Sequence, residues 1–272
     1  MDDKGYISYR ISVPVIFESL FTHFYVAANN TGEDIRKTFV PSFQTIMVFS
    51  FGKEVSFHTA DHHAVAVDKC IVLGPVRQPF SYTLTPGAEI FVANFRGDGF
   101  YRFFGQALVE GDLPVLPDDL IHDNCFTALW HTLKSVHNTE DRVTCLLEFS
   151  RPYIRQQDDV AGAILSAAAD PTKDIIKSTA ALTGETARNI QLKQKKYFGY
   201  SAKEKARFQR FLKAIELIQQ LAAGNTRTDW FEVVDQCGYY DQSQLIRDFR
   251  HFLNLTPGAF LQFQQDICLT TL

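Results

Sequence analysis

The chain has 272 residues, 46% of them hydrophobic, and a formal net charge of −4 at pH 7. That length suits one large or two modest domains with real cores, and the overall charge does not by itself point to nucleic acid. No run of about 18 apolar residues occurs, and the N-terminus MDDKGYISYR lacks the apolar core of a signal peptide, so a soluble protein with no membrane contact is expected.

The charge is unevenly placed. Residues 171–272 hold 14 Lys and Arg against 10 Asp and Glu, a net +4, while the remainder carries −8. A basic C-terminal part on an acidic partner is the asymmetry of a phosphate-binding module joined to a sensor or oligomerisation domain. The five cysteines, Cys70, Cys125, Cys145, Cys237 and Cys268, are odd in number and show no CxxC spacing. A zinc or disulfide framework is therefore not indicated. Packed, reduced thiols and a cytoplasmic location are expected.

Residues 1–110 read as short strands: Phe21–Ala27, Gln44–Phe51, Glu54–Thr59, Lys69–Leu73, Phe80–Leu84 and Glu89–Phe95. They are rich in Val, Ile, Phe and Tyr, and Gly, Pro, Asn and Asp punctuate them. Many short antiparallel strands predict a sandwich or small barrel. Aromatic residues such as Phe43, Phe49, Phe51, Phe57 and Phe91 could line a ligand pocket, but such residues usually make plain core. Residues 111–170 turn helical. Leu120–His137 puts Ile121, Cys125, Leu129, Leu133 and Val136 on one stripe, and Glu140–Phe149 and Val160–Ala169 follow. The stripe either packs on its own barrel or serves a second surface. Ala168-Ala169-Asp170-Pro171 is the expected linker, with Pro171 and Asp174 opening the next unit.

The most informative stretch is Asp229–Phe260, DWFEVVDQCGYYDQSQLIRDFRHFLNLTPGAF. Asp229 can cap a helix carrying Trp230, Val233 and Val234, which Cys237-Gly238 ends in a tight turn. A second helix from about Asp241 to Leu253 has Leu245, Phe249 and Phe252 on its apolar face. Its other face carries Gln242, Ser243, Gln244, Arg247 and Arg250, side chains able to bond base edges in a major groove. Thr256-Pro257-Gly258 is expected to stop this helix. An upstream stretch, GETARNIQLKQKKYFGYSAKEKARF from Gly184, repeats the pattern: Ile190 meets Leu245, Phe198 meets Leu253, Tyr200 meets Leu255 and Ser201 meets Thr256. Between the copies, Ala202–Ala223 has strong helix formers and no Gly or Pro.

CGYYDQSQLIRDFRHF with the closing LTPGAF resembles the second helix-turn-helix of the AraC/XylS family of bacterial transcription regulators. Two reader units on one long helix match that family's DNA-binding domain, and FVANFRGDGFYRFFG (Phe91–Gly105) looks like the end of the cupin-like jelly roll preceding it in many members. The resemblance implies an α+β protein. Residues 1–170 would be a cupin-like sensor or dimerisation domain, with strands in 1–110 and helices in 111–170. Residues 171–272 would be an all-α double helix-turn-helix domain. It further implies double-stranded DNA as partner, a small-molecule effector in the N-terminal domain, a homodimer, and RNA polymerase contact in an activator. Arg188, Gln191 and Lys195 would be the first reader's counterparts of the second reader's DNA-binding side chains. That first helix departs from the family pattern: Leu192 stands where a basic residue is common, and Gln194 where an aromatic is. Lys193, Lys195 and Lys196 could add phosphate contacts.

Motifs of catalysis are absent: no GxSxG, Walker loop or GxGxxG occurs. His58, Asp61, His62 and His63 are the one metal-like cluster. The cluster falls in HTADHHA, which reads as a solvated turn, so no metal and no cofactor is expected. The rival readings are a metal-dependent cupin enzyme with a helical appendage, and a DNA-binding protein of the same architecture that senses nothing.

Overall fold

A computed structural model of the chain describes residues 5–58, 64–108, 114–121, 123–170, 173–223 and 229–262. In chain order the strands are β1 (Tyr6–Ile11), β2 (Phe21–Asn29), β3 (Ile35–Phe39), β4 (Ile46–Gly52), β5 (Val55–His58), β6 (Ala64–Val67), β7 (Cys70–Leu73), β8 (Phe80–Leu84) and β9 (Ala88–Phe95). They form two antiparallel sheets, in the orders β1-β2-β9-β4-β7 and β3-β8-β5-β6. This is the expected cupin-like sandwich.

In the first sheet β4, β7 and β9 are buried on both faces, which explains the unbroken apolar run of β4, IMVFSF. Ile46, Val48, Ile90 and Val92 face the second sheet, where Val55, Phe57, Tyr82 and Leu84 meet them. Met47, Phe49, Phe91, Ala93 and Phe95 face helices on the opposite side.

Three strands lie outside the sequence expectation: β1, β3 and β6. All three are sheet edges. These three pair on one side and bury few of their side chains, so their sequences carry no unbroken apolar run of large residues, as in IRKTF of β3.

Helices α1 (Gly99–Phe104), α2 (Pro117–Ile121), α3 (Cys125–Ser135) and α4 (Thr139–Ser150) cover the first sheet. The single helix expected over Leu120–His137 is two. The Asp118 carboxylate on α2 accepts the backbone N–H groups of Phe126 at 2.8 Å and Thr127 at 3.1 Å, and the Thr127 hydroxyl at 2.6 Å. It thus satisfies free donors at the start of α3 and breaks the run before it. The stripe packs on its own sandwich: Leu129, Trp130 and Leu133 join Phe49 and Phe51, and the Trp130 indole donates to the Ser50 carbonyl at 2.7 Å.

Helix α5 (Asp159–Ala168) shares its core with the C-terminal helices instead. Val160, Ala161 and Ile164 pack with Ile176, Ile190 and Tyr197. Between its two ends α5 also meets the sandwich side, where Leu165 lies against Gly97.

Candidate nucleic-acid interface

Six helices follow: α6 (Ile175–Thr183), α7 (Ala187–Phe198), α8 (Ala202–Ala223), α9 (Trp230–Cys237), α10 (Gln242–Leu253) and α11 (Pro257–Gln262). They fall into two hairpins with the same sequence of devices, joined by α8.

Each hairpin opens on an aspartate cap. Asp174 accepts from the Lys177 N–H at 3.0 Å, and Asp229 from the Phe231 N–H at 2.9 Å. Each first helix ends on a left-handed glycine, Gly184 (φ 72°) and Gly238 (φ 73°). Each second helix is capped in turn, by Thr186 through Asn189 N–H (3.3 Å) and by Asp241 through Gln244 N–H (2.7 Å). Each second helix then closes on a left-handed residue, Gly199 (φ 77°) and Asn254 (φ 58°). Ile190 and Leu245 are both 0% exposed at the matching core position.

The matching residues Ser201 and Thr256 each start a further helix. Ser201 and Glu204 cap α8 reciprocally: the Ser201 N–H donates to Glu204 at 2.8 Å, and the Glu204 N–H to the Ser201 hydroxyl at 3.2 Å. Thr256 accepts from the Ala259 N–H at 3.2 Å, with Pro257 as the first residue of α11. The expectation that Thr256-Pro257-Gly258 stops α10 is therefore corrected. Asn254 ends that helix, and Pro257 begins another, since proline suits a first helical turn that has no use for its N–H.

The second hairpin is anchored to α8 through charge as well as packing. Asp248 on α10 is 2% exposed and accepts from Arg207 at 2.7 Å and Arg210 at 3.3 Å. Phe249 meets Phe211 edge-on at 5.1 Å. The first hairpin is anchored to the sandwich. Tyr197 meets Tyr101 of α1 at 4.9 Å, and the Arg77 guanidinium donates to the Gly199 carbonyl. A Cβ at Gly199 would fall 2.6 Å from the Leu108 carbonyl oxygen, so glycine is required there twice over, by the close approach and by its positive φ.

These anchors leave one face of each second helix open. On α7, Arg188, Gln191, Leu192 and Lys195 are exposed. Lys193 is drawn into an ion pair with Glu185, and Lys196 lies over the Tyr101 and Tyr197 rings, so of the three lysines only Lys195 extends from the open face. On α10, Gln242, Ser243, Arg247 and Arg250 are exposed, with the Arg247 Nε 3.3 Å from the Ser243 carbonyl. Gln244 is half-buried and its amide oxygen accepts the Tyr240 N–H at 2.9 Å, which commits that end of the side chain to the helix cap. Gln194 is 2% exposed where the second copy has Phe249, and its amide oxygen has no hydrogen-bond partner among the described residues.

The other chemistry-bearing groups are elsewhere. His58 sits on β5 with its Nε2 3.1 Å from the Thr83 hydroxyl, while Asp61, His62 and His63 lie outside the described residues. Among the described residues no group of three His, Cys, Asp or Glu is placed to hold a metal. Cys70 and Cys237 are buried thiols, and burial pushes both above their ordinary pKa. No helix of the described residues is long and apolar enough to cross a membrane. Phe49, Phe51, Phe57 and Phe91 are core, as the plain reading has it.

A cleft of about 570 Å3 opens beside β1 and β2, lined by Arg10, Ser12, Thr22, His23, Gln44 and Arg96 among others. A cavity of about 40 Å3 continues inward from Arg10 and His23 to Tyr25, Phe39 and Tyr82. Burial, and after it the Arg10 guanidinium, pull the His23 imidazole down to about 4, so it is neutral at pH 7. Sequence reasoning did not find this cleft. Its residues come from strands and turns far apart in the chain, and no local spacing announces them.

Each C-terminal hairpin has the helix–turn–helix form, two helices joined by a short turn at a left-handed glycine. Residues 225–262 match the family model of bacterial regulatory helix-turn-helix proteins, AraC family. No curated protein matches the sequence. Among solved structures, the chain is similar to ToxT from Vibrio cholerae, 14% identical over 95% of this chain and 98% of that one, with a TM-score of 0.42. It is also similar to an RmlC-like cupin protein from Desulfovibrio desulfuricans, 10% identical over 35% of this chain and 85% of that one, with a TM-score of 0.28. Likenesses at this level say nothing of function.

Proposed function

We propose that the chain is a sequence-specific, double-stranded-DNA-binding transcription regulator of the AraC type. The observation that carries this reading is the repetition of one open stripe. Arg188, Gln191, Leu192 and Lys195 on α7 occupy the same helical positions as Ser243, Ile246, Arg247 and Arg250 on α10, and every anchor of both hairpins lies on the opposite side. Helix α8 joins the two hairpins, and two readers so joined would enter successive major grooves. Gln242, Ser243, Arg247 and Arg250 are the proposed readers of the second half-site, with Gln244 stiffening the cap. Arg188 and Gln191 read the first, and Lys195 holds phosphate.

The domains meet near residue 170, with α5 packed on the reader side. The Arg10–His23–Arg96 cleft is the proposed effector site, and its two guanidinium groups, against the single carboxylate of Glu18, favour an anionic small molecule. Ser42 and Gln44 of the same cleft flank Phe43, whose ring is buried in the C-terminal core, so an occupant would be felt by the readers. Homodimerisation and RNA polymerase contact stand as further expectations of an activator.

The test is selection of DNA by the full chain from a random duplex library, followed by salt titration of the selected site. A selected consensus with two half-sites about one turn apart is expected. Log affinity should fall linearly with log salt at about −0.9 per phosphate neutralised. Folded protein that retains no duplex at low salt would overturn the reading.

A further inference from the structure

The open stripe of α7 contains one residue that the general reading leaves unused. Leu192 is 60% exposed, on the reader face, between Gln191 and the Arg188 and Lys195 turns. Its counterpart in the second copy is Arg247. Isolated apolar residues on protein surfaces are common, but this one lies in the middle of a cationic stripe from which every aromatic and aliphatic neighbour is turned away: Ile190, Tyr197 and Phe198 are all buried on the other side. The second copy has the same pair of chemistries in reverse order. Ile246 is half-buried where α7 has Gln191, and Arg247 is exposed where α7 has Leu192. Each stripe therefore sets one aliphatic side chain beside one forked polar one.

Of the groups on a major-groove floor, one calls for an aliphatic partner. Thymine carries a C5 methyl, and the adjoining edges offer acceptors and donors to forked side chains. Phosphate oxygens on either side suit Arg188 and Lys195. Resting on the proposed DNA-reading function, we infer that Leu192 packs on the methyl group of a thymine in the first half-site, beside a base pair bonded by Gln191. Leu192 is then a specificity-determining residue, and the first half-site is selected for a thymine that an arginine at this position would not demand.

The inference is tested on the site selected by the full-length protein. Each thymine is replaced in turn by deoxyuridine, which keeps every hydrogen-bonding group and removes only the methyl. One replacement, in the half-site read by α7, should weaken the wild type about three- to five-fold, the worth of one buried methyl group. Leu192→Ala should be indifferent to that replacement while keeping the salt slope, because its cationic neighbours are intact. Leu192→Arg should lose the thymine preference and gain guanine there. If the wild type and Leu192→Ala respond alike to deoxyuridine at every position, the inference is overturned while the DNA-reading function stands. The same holds if Leu192→Ala changes the oligomeric state and not the preference. A protein that selects no sequence at all overturns both.

Discussion

The ring of Phe43, on the connection between β3 and β4, stacks on Phe208 of α8 with centroids 4.7 Å apart and planes 26° apart. Tyr200 and Phe252 complete its surroundings at 5.3 and 6.5 Å. Phe43 thus belongs by sequence to the sandwich and by packing to the C-terminal helices. It holds φ 56°, an unfavourable region for a side chain with a Cβ, and its N–H is fixed on the Val76 carbonyl at 3.0 Å. The Lys205 ammonium lies over the same ring at 5.5 Å, and burial lowers its pKa to about 8.

Phe43→Ala should accordingly destabilise the protein by about 3 kcal/mol, the cost of emptying an aromatic site. Phe43→Gly should cost up to about 1 kcal/mol less than the alanine variant, because it relieves the left-handed backbone while losing the same ring. Urea denaturation of the three proteins checks both. A loss below about 1 kcal/mol for the alanine variant would show that the ring does not bind the two halves together.

Asp248 is the buried charge on which α10 turns. Replacing it with alanine leaves Arg207 and Arg210 facing a vacant site. Removing one partner of a fully buried pair costs about 3–5 kcal/mol, and the partial exposure of both arginines reduces that to about 2 here. Asp248→Asn keeps the acceptor and should cost less. Thermal denaturation ranks them; an Asp248→Ala protein as stable as the wild type would mean that ring packing alone positions the helix.

Specificity and affinity should separate within the reader domain. Arg247→Ala should weaken the selected site by roughly 1–3 kcal/mol and flatten the preference at one or two base pairs. Lys203 is exposed on α8, outside both reader stripes, so Lys203→Ala should weaken selected and random duplexes alike. Competition binding against single-base variants of the selected site measures both. An unchanged profile for Arg247→Ala would leave base reading on α10 to Gln242, Ser243 and Arg250.

The pH dependence of stability should carry the signature of His23. In the unfolded chain a histidine titrates near 6.5, and in the fold His23 titrates at about 4. Between these values the unfolded chain binds a proton that the native state refuses, so the stability present above about pH 6.5 falls as pH drops toward 4. His23→Gln, which cannot ionise, should lose part of this slope. Denaturation midpoints at pH 7, 6 and 5 give the comparison, and equal slopes in both proteins would assign the acid sensitivity elsewhere.

Read alone, the sequence determined the helices and turns of the two C-terminal hairpins. Its signals are local. A capping aspartate, a turn glycine and an i, i+4, i+7 apolar face all act within one or two helical turns, so the repeat of Gly184 and Gly238, Ile190 and Leu245, Ser201 and Thr256 is visible in one dimension. It also determined the central strands, whose apolar runs reflect burial on both faces. What only the tertiary structure decided was non-local. The edge strands β1, β3 and β6 owe their conformation to a neighbour's unpaired backbone more than to their own side chains. Asp118 breaks a helical stripe by capping a helix eight residues away. Arg10, His23 and Arg96 become one cleft only when β1, β2 and the end of β9 are laid side by side. Phe43 reads as sandwich core and in fact packs in the core of the C-terminal helices, because which core a phenylalanine joins depends on where the chain brings it, and its apolar surface gains the same in either.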